Sequence, residues 1–171
     1  KSYFRLVMKA YFLDLKMLRN LIVDTNLLLL WIIGSVDSGS YLQSSNRLDK
    51  FDYEDFSKVN SLIGQFDALY ITPYIATEIS NLIDLDGYAR EKAFQIFKSL
   101  LEEIKVTMSD LQADSESINF HLYGLTDNSL VNLVKDYYIL TYDNRLCVPL
   151  FAANPENVLP YEVVKYSNEY S

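Results

Sequence analysis

The sequence predicts an α/β fold built on a parallel sheet, and three observations predict it. First, Leu21-Ile22-Val23 is a short, partly β-branched apolar run, the signature of a strand buried on both faces. The polar tripeptide Asp24-Thr25-Asn26 follows, and then a Leu- and Ile-rich run without Gly or Pro until Gly34, which reads as a buried helix ending at a glycine. Second, the short apolar run from Ala68 to Ile71 leads into Thr72-Pro73, a helix start with Thr at the N-cap and Pro at the first helical position. Third, Tyr137 to Thr141 is a strand followed by Tyr142-Asp143-Asn144, repeating the arrangement at Asp24. Strand, polar residues, helix is the βα unit of a parallel sheet. Its polar residues sit at the carboxyl end of the strand, where open α/β sheets place their ligand crevice.

The other elements follow from spacing and punctuation. Residues 3–14 are apolar and aromatic with interspersed basic residues and suit either helix or strand. Residues 35–54 are rich in Ser, Asp and Asn and form a long loop, the kind that is often functional. Phe56, Val59, Leu62, Ile63 and Phe66 recur at helical spacing over 55–66. After Thr72-Pro73 the buried stripe is Ile75, Ile79, Leu82 and Ile83, with Glu78 on the flank of that helix. Residues 88–103 form an amphipathic helix with Ala89, Ala93, Phe97, Leu100 and Leu101 inside. Ile104 to Thr107 is a candidate strand. Ser109 opens a helix with Leu111, Ser115, Ile118 and Leu122 on one face and Gly124 as its cap. Thr126 N-caps a helix over 127–136 that buries Leu130, Val131 and Val134. A helix over 144–152 meets Pro149, which is expected to break or kink it. Asn154-Pro155 is a turn, Val158-Leu159 a last strand, and the tail after Lys165 is polar and frayed. Residues 17–165 thus read as one domain. Residues 1–16 form an N-terminal extension, with Met8 or Met17 as a candidate natural start, and 166–171 a polar tail.

Composition narrows the chemistry. The chain has 171 residues, 50% hydrophobic and 22% charged, enough for one full core. One cysteine, Cys147, leaves no intrachain disulfide framework and no cysteine zinc cluster. One histidine, His121, gives little scope for a histidine-rich metal site. Any metal ligands are therefore mainly oxygens, which points to Mg²⁺ or Mn²⁺. No apolar run reaches the roughly 20 residues that span a bilayer, and a reducing, cytoplasmic setting is expected. Residues 1–20 carry net charge +4, so the rest carries −12. Such an acidic body does not suit simple nucleic-acid binding. It suits carboxylates awaiting cations, a surface for a basic partner, or merely a solvated acidic face.

Four acids stand out, each with an ordinary reading beside the chemical one. Asp24 and its neighbours Thr25 and Asn26 stand where a helix cap is needed. Glu78 on a helix flank is commonly solvated. Asp127 lies in a first helical turn, favoured there by the helix dipole. Asp143 repeats Asp24. In a parallel sheet, strand ends and the helix starts after them share one rim. Four carboxylates on one rim repel one another unless cations neutralise them, and that is the physical case for a metal.

Taken together, strand-Asp24-Thr25-Asn26-helix, Thr72-Pro73 to Glu78, Gly124-Leu125-Thr126-Asp127 and Leu140-Thr141-Tyr142-Asp143 resemble the PIN-domain nucleases, which include the toxin ribonucleases of toxin–antitoxin pairs. The resemblance spans about residues 20–160. It implies a three-layer α/β/α sandwich with a mostly parallel five-stranded sheet in the order 3-2-1-4-5. It implies Mg²⁺ or Mn²⁺ held by Asp24 as central ligand with Glu78, Asp127 and Asp143, and hydrolysis of RNA phosphodiester bonds. Thr25, Asn26 and Thr141 would orient ligands or water, and Arg145 would help position the RNA backbone. An inhibitory, antitoxin-like protein partner and a homodimer are further expectations from the family. Two other readings stay open: a non-catalytic binding or assembly module of the same fold, and a metal-dependent DNase.

Overall fold

A computed structural model describes residues 19–117 and 119–167. The expected extension over 1–16 and the last residues of the tail lie outside that range. Among the described residues, five strands form one parallel sheet: β1 (Asn20–Val23), β2 (Ala68–Ile71), β3 (Lys105–Val106), β4 (Tyr138–Thr141) and β5 (Val158–Pro160), in the order β3-β2-β1-β4-β5. Leu21 pairs with Leu69 on one side and Tyr138 on the other, so β1 is central. The expected order is therefore the observed one. The chain runs outward from β1 to β3, then returns to β4 on the other side of β1. The β1/β4 boundary is thus the topological switch point, where a crevice opens above the strand ends.

The helix after β1, α1 (Thr25–Gly34), explains why the sequence around it is so apolar. Leu27, Leu28, Leu29, Leu30, Ile32 and Ile33 are all buried, on every side of the helix. A helix apolar all round belongs inside. Here α1 packs against the sheet and is enclosed by α2 (Tyr53–Ile63), α3 (Pro73–Leu82) and α4 (Gly87–Glu103). Each large side chain so buried contributes about 1.5–3 kcal/mol. Gly34 ends the helix where α2 crosses it closely: a Cβ there would lie 2.3 Å from the Phe56 ring. Right-handed crossovers put these helices on one face of the sheet. The other face carries α6 (Phe120–Leu133) and α7 (Asn144–Ala153), which pack on each other. The result is a three-layer α/β/α sandwich. Among the described residues, no helix is long and apolar enough to cross a membrane.

Several elements differ from expectation, each for a physical reason. The loop over 35–54 is shaped by three 3₁₀ turns and buries Leu42, Leu48 and Phe51. The α2 helix starts at Tyr53, two residues early, because Asp52 and Asp55 form a capping box. Leu101 is 40% exposed, so the stripe of α4 is Ala89, Ala93, Phe97 and Leu100. The predicted 104–107 strand is only the two residues of β3. The helix expected from Ser109 to Gly124 is instead two: a five-residue α5 (Leu111–Ser115) capped by Asp110, and α6. Leu111 and Leu122, expected inside, are each 61% exposed. Asp114 faces inward in their place, fully buried, accepting from the hydroxyl of Ser109 and the amide of Asn132. The helix over 127–136 is the second part of α6 and stops at Leu133. It begins before Thr126, after a bend at Gly124 (φ 71°), so Thr126 is no N-cap. Finally, α7 runs through Pro149 without a break. The proline leaves the Arg145 carbonyl without its helical donor, and the Tyr123 hydroxyl donates to that oxygen at 3.3 Å. A short helix, α8 (Tyr161–Val164), follows β5 and carries the fully buried Tyr161.

Candidate metal centre

Four elements deliver the four acids to one place. Asp24, Glu78, Asp127 and Asp143 all line a cleft of about 180 Å³ above the β1 and β4 ends, together with Thr25, Asn26, Thr126, Leu130 and Leu146. All four predicted acids are therefore brought together. Leu130 and Leu146 form the apolar part of the lining.

Asp24 takes the capping role that the sequence offers and ties two strand ends together besides. As the N-cap of α1 its Oδ1 accepts from the Leu27 N–H at 3.0 Å. Its Oδ2 accepts from the Thr141 hydroxyl and from the Tyr142 N–H at 2.8 Å. Its own N–H extends the ladder to the Leu140 carbonyl. Asp24 therefore fastens the end of β1 to the end of β4. Burial raises its pKa, and hydrogen bonds from Thr141, Leu27 and Tyr142 work against that rise.

Glu78 is half-buried on α3, one turn and a half from the Thr72 cap. Its two oxygens accept from two hydroxyls, Thr25 and Thr126, each at 2.6 Å. Thr126 is the residue that sequence reasoning misassigned. Its position directly before Asp127 was the available signal, because a polar side chain beside a cleft acid tends to serve its neighbours. Thr25 and Thr141 each donate a hydroxyl to a carboxylate, of Glu78 and Asp24 respectively. Asn26 lies exposed on the cleft wall.

Asp143 N-caps α7, accepting from the Arg145 N–H at 2.8 Å and the Leu146 N–H at 3.4 Å, and pairs with the Arg145 guanidinium at 3.3 Å. Burial pushes its pKa up, but the bonds from Arg145 and Leu146 outweigh that and hold the carboxyl below its usual range. Asp127 has no such support. Burial, then the charges of Asp143, Glu78 and Asp24, push it up to about 6. The cleft thus carries an excess of negative charge that its own donors relieve only in part.

The donor set fits a hard divalent cation. It is all oxygen, it is concave, and it holds one carboxyl whose charged form burial, and then neighbouring carboxylates, destabilise. The four acids do not, however, form a closed cage. Among the described residues, no group of three or more His, Cys, Asp or Glu is already spaced to hold a metal ion. Asp24, Glu78 and Asp143 are each drawn toward their own hydroxyl and amide donors instead. His121 is exposed and lies outside the cleft lining. Compared with known proteins, the chain matches no family model and no curated protein.

Proposed function

We propose that this chain is a metal-dependent nuclease that hydrolyses RNA phosphodiester bonds, with Mg²⁺ or Mn²⁺ held by Asp24, Glu78, Asp127 and Asp143. The observation that carries the reading is the convergence of these four acids, from four elements, in one cleft at the switch point. A divalent ion bound there supplies Lewis-acid polarisation of the phosphoryl oxygens and lowers the pKa of water. The chain's own residues do the rest. The hydroxyls of Thr141, Thr25 and Thr126 aim Asp24 and Glu78, and fixed dipoles of this kind need no reorganisation during reaction. Arg145 pairs with Asp143 and is itself exposed, free to meet a phosphate that approaches that acid. A cytoplasmic setting, an inhibitory antitoxin-like partner and a homodimer belong to the same proposal.

One observation favours a second reading. The acids are tied to their own donors rather than to one another, which suits a non-catalytic module whose acidic face engages a basic partner segment. Cleavage of labelled single-stranded RNA and DNA with Mn²⁺, Mg²⁺ or EDTA separates the two. The comparison is with Asp24→Asn and Asp127→Asn, the latter chosen because Asp127 accepts no hydrogen bond from the described residues. Metal-dependent cutting of RNA that both variants lose supports the nuclease. Cutting of DNA alone makes it a DNase. Wild-type protein that neither cuts nor binds Mn²⁺ in calorimetry leaves the binding module.

A further inference from the structure

The loop between α1 and α2 is long, and the four-acid reading gives it no task. It is nevertheless a built object. It buries Leu42, Leu48 and Phe51, and its Ser45 hydroxyl donates to Asp84 at 2.6 Å. Asp37 and Ser38 hold left-handed backbone (φ 44° and 55°) to make its first turn, a conformation that L residues adopt only when the surroundings impose it.

The end of this loop reaches Tyr142, the residue directly before Asp143. Phe51 packs edge-on against Tyr142, with ring centroids 4.9 Å apart. Beside it, the Lys50 Nζ lies 4.0 Å from the centre of the same Tyr142 ring. Tyr142 is the residue whose N–H donates to Asp24 and which directly precedes Asp143. A lysine is thus fixed on the ring of a residue whose main chain holds Asp24 and leads into Asp143. Among the described residues Lys50 forms no ion pair, whereas Arg145 is engaged with Asp143. Its side chain is exposed. A cation–π contact at an exposed site contributes about 0.5–1 kcal/mol. That is enough to restrain the ammonium without satisfying its three donors, and a phosphate oxygen would satisfy them.

We propose that Lys50 is a phosphate contact for the single RNA strand that enters the cleft, held in place by Tyr142 and presented by the 35–52 loop. The proposal rests on the nuclease reading for the identity of the strand. It explains how an acidic body holds a polyanion: a positioned cation stands on the ring of the residue next to Asp143.

The test is binding of a short labelled single-stranded RNA by fluorescence anisotropy over a series of salt concentrations with Mg²⁺ present. The proteins are Lys50→Ala, Lys50→Arg and Lys50→Glu, each compared with Lys50, all in an Asp127→Asn background that blocks cleavage. One phosphate contact on a single strand accounts for about 0.7 of the slope of log affinity against log salt. Lys50→Ala is expected to lower the slope by that amount and weaken binding about fivefold. Lys50→Arg should keep both, and Lys50→Glu should weaken binding further. An unchanged slope in Lys50→Ala, or no RNA bound by the Lys50 parent, overturns the proposal. Cleavage of the same RNA by chains retaining Asp127 is measured in parallel. Cutting without any Lys50 effect sinks this contact alone. A Lys50-dependent slope without cutting keeps the contact and sinks the nuclease.

Discussion

The hydroxyl of Thr141 donates to Oδ2 of Asp24 and so joins the carboxyl end of β4 to that of β1 across the switch point of the sheet. The Thr141 hydroxyl oxygen in turn accepts from the Asp143 N–H at 3.0 Å. One side chain, 1% exposed, therefore positions two of the four acids. Replacing it with valine keeps the shape and removes the donor and the acceptor together. A buried group left without its partner costs about 1–3 kcal/mol. Thr141→Val is expected to lose that much stability in urea unfolding, and Thr141→Ser to recover most of it. If Thr141→Val were as stable as the parent chain, the fastening of β1 to β4 would have to lie elsewhere.

Asp127 gives the metal-free chain a pH dependence with a definite sign. Its carboxyl is raised from 3.8 to about 6, first by burial and then by Asp143, Glu78 and Asp24. A raised carboxyl binds its proton more tightly in the folded state, so its contribution to stability falls as pH climbs from about 4 to 6 and stays lost above that. Asp143 is shifted the other way, so its contribution is lost only toward more acid pH. Asp127→Asn is therefore expected to stabilise the EDTA-treated chain at pH 7. With a discount for partial exposure, the gain is about 1–2 kcal/mol. The variant should also flatten the fall between pH 4 and 6 in thermal unfolding. Mn²⁺ at pH 7 should raise the midpoint of the parent and do so less for the variant, since a ligand that binds only the folded state stabilises it. A midpoint for Asp127→Asn below that of the parent at pH 7 would show that burial and the neighbouring acids do not disfavour the charged Asp127.

The parts of the fold legible in the sequence are those where one local rule dominates. The runs Leu21 to Val23 and Leu27 to Ile33 could be read outright, because burial leaves no polar residue within either to confuse the period. The Thr72-Pro73 start was legible because its cap chemistry is local, and the structure shows Thr72 accepting from the Ile75 N–H. The four acids were legible as a rim because strand ends are, although their meeting depended on a strand order that only the resemblance supplied. What escaped was decided at long range. Asp114 turns inward because Ser109 and Asn132 meet it there, and that inverts the face predicted from Leu111 and Leu122. Pro149 is tolerated because Tyr123, far away in sequence, serves the carbonyl it leaves open. Thr126 was read as a cap because its partner, Glu78, lies 48 positions away.

Gly34 offers a last test, of the packing that sets α1 against α2. Local propensity alone says that alanine should be better, since glycine inside a helix costs about 1 kcal/mol relative to it. The structure says the opposite. A Cβ at residue 34 would meet Phe56 Cδ2 at 2.3 Å and Cγ at 2.5 Å, and Cγ is the stem of the ring rather than its free end. The ring cannot swing away cheaply, because it also packs against Tyr53, with centroids 5.7 Å apart. Overpacking of this kind costs about 1–3 kcal/mol, which outweighs the propensity gain. Gly34→Ala is expected to destabilise the chain in urea unfolding. Phe56→Ala should cost stability on its own, yet make Gly34→Ala neutral or favourable when the two are combined, because the clash is then gone and only propensity remains. Simple additivity in that double-mutant cycle would mean that α1 and α2 do not meet at this glycine.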